Sequence, residues 1–542
     1  MRLESIMVPA LNKFASLYIE QAEPVKEFFH YDLTKEDVYL ERYNEVIGRN
    51  FNRESLTTCI KQYMERYTLS DKVMESLNKL NRHDSVVVIG GQQAGLLTGP
   101  LYTIHKIISI IQLAKQQEEK LAVPVVPVFW IAGEDHDFLE INHVYTKSNE
   151  KLKKHTYVFS TEEKTMVSHM EYDKNHMKKW MESVVKDFGE KEYTKSMLEF
   201  LHTAIESNHT YTEFFTDLVN HLFKNYGLLL IDSADEGLRQ LEKDYFIQMV
   251  DKHAEITRLV DDQQQIIQQF GFKRTIEMAE HAANLFYTHE NERLLLEYDI
   301  NEDTFVSKGN EVRFMKDELL ELINRHPERF SNNVVTRPIM QELLFPTLAF
   351  IAGPGEIAYW GELKQAFELF ELNMPIITPR LNITLVDAAS ERDMEQLHLS
   401  LEQILKNQLA DLKQQFIEEQ LDNGFSTLID QIAAQLEKQY EEIFASIQSI
   451  DQGLMPLTRK NLAFHKNQLE FLERKVEKSV LNKHEVKLNK YQGLESFLYP
   501  EGSFQERMWN LFYFINRYGF GFVDDLTQLN YSFDGKHQIV KL

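Results

Sequence analysis

The chain has 542 residues, of which 43% are hydrophobic and 26% charged, as in globular proteins that bury a sizeable core. A formal net charge of −25 argues against a general DNA- or RNA-binding surface, because such surfaces neutralise phosphates with Lys and Arg. A single cysteine, Cys59, excludes an internal disulfide framework and a cysteine-based zinc site. We expect a cytoplasmic protein, since the cysteine usage fits a reducing compartment and neither a signal peptide nor a membrane span is evident.

Residues 1 to about 80 predict helices, because apolar residues recur there at three- and four-residue spacing. The period then changes at residues 85–91, a short apolar run closed by two glycines that is typical of a buried strand. A helix over residues 100–120 and a second buried strand over 123–133 are predicted next. Strand, helix and strand with short links indicate a βαβ unit and therefore a parallel sheet.

Three later segments repeat the pattern. Residues 226–235 predict an apolar strand, 347–370 a strand, a Gly-Pro-Gly turn and a helix, and 374–387 a last strand. The polar segments at about 145–225 and 236–340 are too long for loops, so we expect helical or α+β insertions. The fold class is therefore α/β, a doubly wound parallel-sheet core over residues 1–390.

Residues 391–490 predict long helices with heptad seams, for example Leu405, Leu409, Leu412 and Phe416. Such seams fit either an intramolecular hairpin or a dimerising coiled coil. We expect an antiparallel coiled coil that also dimerises, because a projecting hairpin needs a partner for its second face. The aromatic-rich residues 491–542 are expected to pack back on the core.

The glycine-rich turn after the first strand is a candidate ligand site, because open α/β sheets bind ligands at the carboxyl ends of their strands. Its glycines match neither a Walker A loop nor the dinucleotide fingerprint. Polar side chains of the turn could bind substrate, and the first turns of the helix could meet an anion. These residues are Gln92, Gln93, Thr98, Gly99 and Tyr102 for substrate, with His105 and Lys106 for the anion. A purely structural use of them is the alternative.

Acids and histidines crowd the end of the second strand: Glu134, Asp135, His136 and Asp137, with Glu140 and His143 close behind. Consecutive residues of an extended chain point to opposite faces, and the order His-x3-Glu-x2-His differs from that of zincins, so we predict no metal. We expect a turn that binds polar substrate groups through Asp137 and supplies an acid or base from Glu134, Asp135 or His136.

The segment Ile-Ala-Gly occurs twice, at residues 131–133 and 351–353, each time after an apolar run and before an acid. Two strands of one parallel sheet that end in this turn would bring residues 134–137 and Glu356 to one crevice. Gly353 and Tyr359 are then further substrate-binding candidates. Coincidence of two short motifs is the alternative.

A possible nucleotide pocket combines residues after the last strand with residues after the coiled coil. A guanidinium can hold a phosphate or carboxylate through two parallel hydrogen bonds. The candidates, besides Lys106, are Arg380, Asn382, Thr384, Lys490, Gly493 and Glu506. A salt bridge and a turn with surface charges are equally compatible with these residues.

Three motifs, GGQQAGLLTGPLYTIHK, PVFWIAGEDHDFLEINHV and FIAGPGEIAYWGELK, precede the coiled coil in this order. Together they resemble the bacillithiol biosynthesis cysteine-adding enzymes, also called the bacillithiol synthase family, over essentially the whole chain. The resemblance implies a Rossmann-like core with connecting-peptide insertions, a coiled coil that makes a homodimer, and a cysteine ligase that joins L-cysteine to glucosaminyl malate. The core resembles that of class I aminoacyl-tRNA synthetases, but their His-x-Gly-His and Lys-Met-Ser-Lys-Ser motifs are absent, leaving His105 as the candidate histidine.

Joining an amine to a carboxylate in water needs an activated acyl group, so we expect ATP, or its product ADP, as cofactor. Lys106, Arg380 and His105 would then face phosphate charge, and an acid of residues 134–137 would take the amine proton. Two other classes stay open. One is a metal-dependent hydrolase that uses residues 134–137 and His143, and the other is a coiled-coil scaffold without activity.

Overall fold

The computed structural model describes residues 1–10, 12–148, 151–158, 165–421 and 424–542. The chain forms two compact units, one of Met1–Leu385 with Phe504–Leu542 and one of Val386–Ser503. The C-terminal residues from Phe504 onward therefore fold with the N-terminal part of the chain. Within the described ranges, no helix is both long and apolar enough to cross a bilayer.

A five-stranded parallel sheet lies at the centre of the first unit. Its strands are β1 (Val86–Gln92), β2 (Val125–Ile131), β3 (Leu229–Asp232), β4 (Thr347–Ala352) and β5 (Ile376–Pro379). The spatial order β5-β4-β1-β2-β3 is that of a Rossmann fold, in which the order reverses between β1 and β4. Residues Val86 to Ile89 are completely buried, as a strand covered on both faces requires.

The predicted βαβ unit is present, with helix Leu101–Leu121 between β1 and β2. β1 and β2 pair in register from Val86 opposite Val125 to Gln92 opposite Ile131, so both strands end at the same level of the sheet. The helix buries most of its length against these strands, which explains why apolar residues occupy most of its faces.

The N-terminal region contains a strand that the helical periodicity did not predict. Arg2–Ile6 pairs antiparallel with His537–Lys541, and Ile383–Val386 completes this three-stranded sheet. Residues 374–387, predicted as one strand, are consequently two strands in two sheets, with Arg380 between them. The α-helices before β1 are Lys13–Ile19, Val38–Ile47, Arg53–Met64 and Asp71–Leu80.

Both insertions mix helices with antiparallel strands, as predicted. The first comprises Phe138–Ile141, the hairpin His143–Ser148 with Lys151–Thr156, and the helices Lys174–Phe188, Thr194–Ser207 and Tyr211–Phe223. The second has the helices Glu236–Asp251, His253–Gln269, Lys316–Arg325 and Thr336–Leu344. Its antiparallel sheet has the order Arg313–Met315, Thr304–Ser307, Glu292–Asp299, Ala282–His289, Phe330–Asn332.

Short helices complete the first unit around the sheet. The α-helices are Pro354–Gly361, Lys364–Leu369, Leu511–Tyr518 and Gly521–Thr527. The 3-10 turns are Val25–Phe28, Leu96–Thr98, Val167–His169, Lys224–Tyr226, Pro327–Arg329 and Gln505–Arg507.

The second unit is helical and contains the predicted antiparallel hairpin. Its long helices, Phe425–Ile450 and Met455–Lys483, run in opposite directions, since Glu437 pairs with Lys466 while Tyr440 bonds Asn461. The other helices are Ala388–Leu397, Leu401–Leu405, Leu409–Leu421 and Glu485–Leu498, with 3-10 turns at Gln452–Leu454 and Pro500–Gly502.

Candidate active site

A cavity of about 780 Å³ opens at the carboxyl ends of four strands of the parallel sheet. This is the edge where doubly wound sheets bind ligands, and the volume is ordinary for a small-molecule site. Nine of the sequence-predicted residues line it: Gln92, Gln93, Tyr102, Lys106, Asp135, Gly353, Glu356, Tyr359 and Arg380. The two Ile-Ala-Gly turns therefore meet in one crevice.

Glu134 and Asp135 follow β2 and are held by arginines. Arg337 donates from Nε to Glu134 Oε1 at 2.7 Å and from Nη2 to Asp135 Oδ1 at 2.6 Å. Arg239 binds the second oxygen of Glu134. Burial would raise the pKa of both carboxyls, but the guanidinium charges outweigh burial, so both pKa values lie below their usual range.

The two acids consequently differ in what they can do. Glu134 is fully buried and does not line the cavity, so it orients Arg337. Asp135 lines the cavity, and its second oxygen accepts a long bond from Gln93 Nε2 at 3.4 Å. A carboxylate with a lowered pKa is a weak base, so its position suits it to pair with a cationic group of a ligand.

Arg293 forms the part of the cavity wall next to Asp135, with Nη1 3.7 Å from Oδ1. Its side chain lies on the ring of Phe286, with Cζ 3.7 Å from the centroid, and donates to Ser331 Oγ at 2.9 Å and to Asn332 O at 2.6 Å. Burial lowers the pKa of Arg293 to about 10, which leaves it protonated at neutral pH. His136 lies beside it, 3.5 Å from Nη1, but is not part of the cavity wall.

Lys106 joins the ends of β1 and β4. Its Nζ donates to Gly91 O at 2.7 Å and to Glu356 Oε2 at 2.6 Å. Glu356 also accepts the Gly353 N–H at 2.6 Å, so one carboxylate caps the helix Pro354–Gly361 and binds the lysine. Burial lowers the pKa of Lys106, and Glu356 offsets part of this effect.

Behind the cavity wall, His105 belongs to a buried cluster. Arg380 donates two hydrogen bonds to Glu506, of 2.8 and 2.6 Å, and His105 Nδ1 lies 2.9 Å from the same carboxylate. Burial lowers the pKa of His105, whereas Arg380 overcomes burial and holds the pKa of Glu506 well below its usual range. His105 does not line the cavity, so its position does not favour the catalytic or phosphate-binding role assigned from the sequence.

The remaining predicted residues also lie outside the cavity wall. Asp137 is exposed, and Thr98 and Gly99 are buried in the turn before the helix, where Gly99 O accepts a bond from Asn510 at 2.8 Å. Asn382 contacts Arg380 at 3.3 Å, and Thr384 is buried against His537 at 2.8 Å. Lys490 and Gly493 are on helix Glu485–Leu498 of the second unit, in which Lys490 pairs with Asp393 at 3.2 Å.

Comparison with known proteins identifies the family. Residues 1–381 match the N-terminal Rossmann-like domain of bacillithiol biosynthesis BshC, and residues 383–542 match its C-terminal coiled-coil domain. The chain belongs to the BshC family. Proteins named "Putative cysteine ligase BshC" from Geobacillus sp. (strain WCH70) and Bacillus velezensis are each 42% identical to it, and that from Bacillus cereus (strain AH187) 39%, over the full length of both chains. These matches confirm three predictions: the family resemblance, the Rossmann-like fold with a coiled coil, and the ligase class.

Several residues of this BshC cavity carry no sequence motif and were not predicted. They come from the second insertion: Phe286, Arg293, Asn333, Arg337 and Gln341. With them the wall has five basic side chains (Lys106, Arg293, Arg337, Arg380, Arg507) against four acidic ones (Asp135, Glu140, Glu277, Glu356), although the whole chain is strongly acidic. The cavity wall thus carries a local excess of one positive charge.

The alternative of a metal-dependent hydrolase is not favoured. In the described parts of the chain, no three His, Cys, Asp or Glu side chains converge as metal ligands would. Both oxygens of Glu134 are bound by arginines, and His143 begins the strand His143–Ser148 outside the cavity wall.

Asp232, at the end of β3, is expected to make stability depend on pH. Ser168 Oγ donates to it at 2.5 Å, and burial raises its pKa to about 6. The folded protein then keeps a proton between pH ~4 and ~6 that the unfolded chain has lost, so the free energy of unfolding falls as pH rises through this window. Asp232→Asn removes the effect.

This pH dependence is measured by the free energies of unfolding of the wild type and of Asp232→Asn between pH 4 and 7. The difference in stability between the two proteins should shift in the variant's favour by up to about 3 kcal/mol as pH rises. Exposed Asp244→Asn is the control, and a difference that stays constant across the window would contradict the prediction.

Proposed function

We propose that the chain joins the carboxyl group of L-cysteine to the amine of glucosaminyl malate, forming the amide bond of bacillithiol. Membership of the BshC family and the names of the relatives support a cysteine ligase. The observation that carries the proposal is the end of the cavity formed by Asp135, Arg337 and Arg293, where one carboxylate, with an oxygen that neither arginine binds, lies beside two guanidiniums. That arrangement complements a zwitterionic amino acid, with the ammonium at Asp135 and the carboxylate at an arginine.

ATP is the proposed source of activation. Transfer of a phosphoryl or adenylyl group to a carboxylate oxygen of cysteine would create the activated acyl group. The amine nitrogen then attacks the acyl carbon and forms the new C–N bond. The bond between that carbon and the oxygen attached to phosphorus breaks, and the amine releases a proton to solvent. Lys106 and Arg380, both in the cavity wall, supply positive charge for the phosphates.

Mass spectrometry of a reaction mixture tests this function. The purified protein, incubated with L-cysteine, glucosaminyl malate and ATP–Mg²⁺, should yield a product with the summed mass of the two substrates less one water, together with AMP or ADP. Omission of ATP should abolish the product. Absence of the condensed product in the complete mixture would refute the proposal.

We further propose that the chain is a cytoplasmic homodimer. The helical hairpin leaves large apolar side chains exposed, among them Leu457 and Phe464, each more than 60% exposed. Pairing with a second hairpin would cover them. The one cysteine, Cys59, and a thiol product both suit a reducing compartment.

The double variant Leu457→Asp/Phe464→Asp is expected to shift the protein from dimer to monomer, because charges in an apolar interface are strongly disfavoured. Light scattering should give twice the chain mass of 63.9 kDa for the wild type and the single mass for the variant. Exposed Lys478→Glu on the same helix serves as control. A wild-type protein with the single chain mass would contradict the proposed dimer.

A further inference from the structure

The five basic side chains of the cavity wall differ in whether protein groups already bind them. Lys106, Arg337 and Arg380 are paired with Glu356, Asp135 and Glu506 at 2.6 Å each. Arg293 donates to a backbone carbonyl and a hydroxyl. Within the described ranges of the chain, Arg507 makes neither an ion pair nor a side-chain hydrogen bond, although it is exposed at the cavity. Its guanidinium is therefore available to a ligand.

Two side chains that share the cavity with Arg507 define its surroundings. Arg507 and Arg380 both act electrostatically on Tyr102, and Arg380 Cζ lies 5.9 Å from the Tyr102 ring centroid. The neighbouring Glu506 is neutralised by its two bonds to Arg380. Glu356 and Glu140 are the acids that act on Tyr102. Glu356 is paired with Lys106, and solvent screens the exposed Glu140 as it screens the exposed Arg507. Among the basic side chains of this wall, Arg507 is the one that no carboxylate in the described ranges pairs with.

We propose that Arg507 determines acceptor specificity by binding the malate carboxylates of glucosaminyl malate, with Tyr102 beside it. The proposal rests on the proposed ligase function and assigns the acceptor to this wall of the same cavity. An amino-acid zwitterion needs one anionic and one cationic partner, and the end of the cavity at Asp135 provides both. A dicarboxylate needs a cation that no carboxylate of the protein has already paired, and such a guanidinium can hold a carboxylate through two parallel bonds.

Steady-state kinetics of Arg507→Ala, Arg507→Lys and the wild type would test the assignment. In Arg507→Ala, the KM for glucosaminyl malate should rise about 10- to 100-fold, the range expected for loss of a charge-assisted hydrogen bond. The KM values for cysteine and ATP should change less than about 2-fold, and Arg507→Lys should restore part of the loss because it keeps the charge. Exposed Arg325→Ala, on helix Lys316–Arg325, is the control and should behave as wild type.

Binding measured by calorimetry separates this inference from the function on which it rests. The wild type should bind glucosaminyl malate, and Arg507→Ala should bind it 10- to 100-fold more weakly. A wild type that binds the acceptor but makes no amide would refute the ligase function and leave the Arg507 assignment standing. The assignment is overturned if Arg507→Ala binds the acceptor as tightly as wild type, if the wild type does not bind it, or if the variant instead raises the KM for ATP or cysteine.

Discussion

Replacing Asp135 by Asn is expected to lower kcat/KM for cysteine by about 30-fold to several thousand-fold, as loss of one partner of a desolvated charge pair costs about 2–5 kcal/mol. The amide keeps the shape of the side chain and can still accept the bond from Arg337. It cannot balance the ammonium of the substrate. The measurement is initial-rate kinetics with cysteine varied.

Asp137→Asn is the matched control, because Asp137 is two residues away, exposed and outside the cavity wall. It should retain nearly full activity. An Asp135→Asn variant with wild-type kcat/KM would remove the amino-acid subsite from this end of the cavity. A thermal midpoint close to that of wild type would show that the loss of activity is not a loss of folding.

Glu134→Gln is expected to lower the free energy of unfolding by about 3–5 kcal/mol, because it removes one negative charge from a buried ion cluster and leaves the arginines there with an excess of positive charge. Glu134 and Glu242 share Arg239, and Glu134 also binds Arg337, so the neutral amide disturbs the whole cluster. The pKa of Glu134 is lowered in the folded state, so its stabilising effect is present above the unfolded pKa of ~4.3 and is lost as pH falls through the folded value.

Chemical unfolding at neutral pH measures the loss. Exposed Glu140→Gln, six residues further along, should change stability by less than about 0.5 kcal/mol. The gap between wild type and Glu134→Gln should narrow only in acid. Equal stability of the two proteins at pH 7 would show that the buried cluster does not need this charge.

The central sheet could be predicted because its signals are local. Runs such as residues 86–89 are apolar and β-branched throughout, and the helix after them has a different period. The strand Arg2–Ile6 could not be predicted in this way, since its partner His537–Lys541 lies at the other end of the chain. Nor does local pattern show that the chain changes sheets at Arg380, because apolar residues continue on both sides.

The residues of the candidate site likewise differ in whether a local sequence signal predicts them. Residues directly after predicted strands, such as Asp135 and Glu356, could be expected in one crevice, because parallel strands end at a common edge. Arg293 and Arg337 reach the cavity from an insertion whose placement no local motif encodes. His105 stands in a promising sequence position, yet its ring is directed to Glu506, more than 400 residues later, a contact that only the folded chain reveals.

Isotope transfer from the cysteine carboxylate tests the central claim most directly. With L-cysteine carrying ¹⁸O in both carboxylate oxygens, an ATP-activated ligase must pass one ¹⁸O to the phosphorus-containing product for each amide formed. We predict that mass spectrometry will find this single ¹⁸O in AMP or in inorganic phosphate, which also distinguishes an adenylate from an acyl phosphate. Amide formed without ¹⁸O in either product would contradict activation of the carboxylate by ATP.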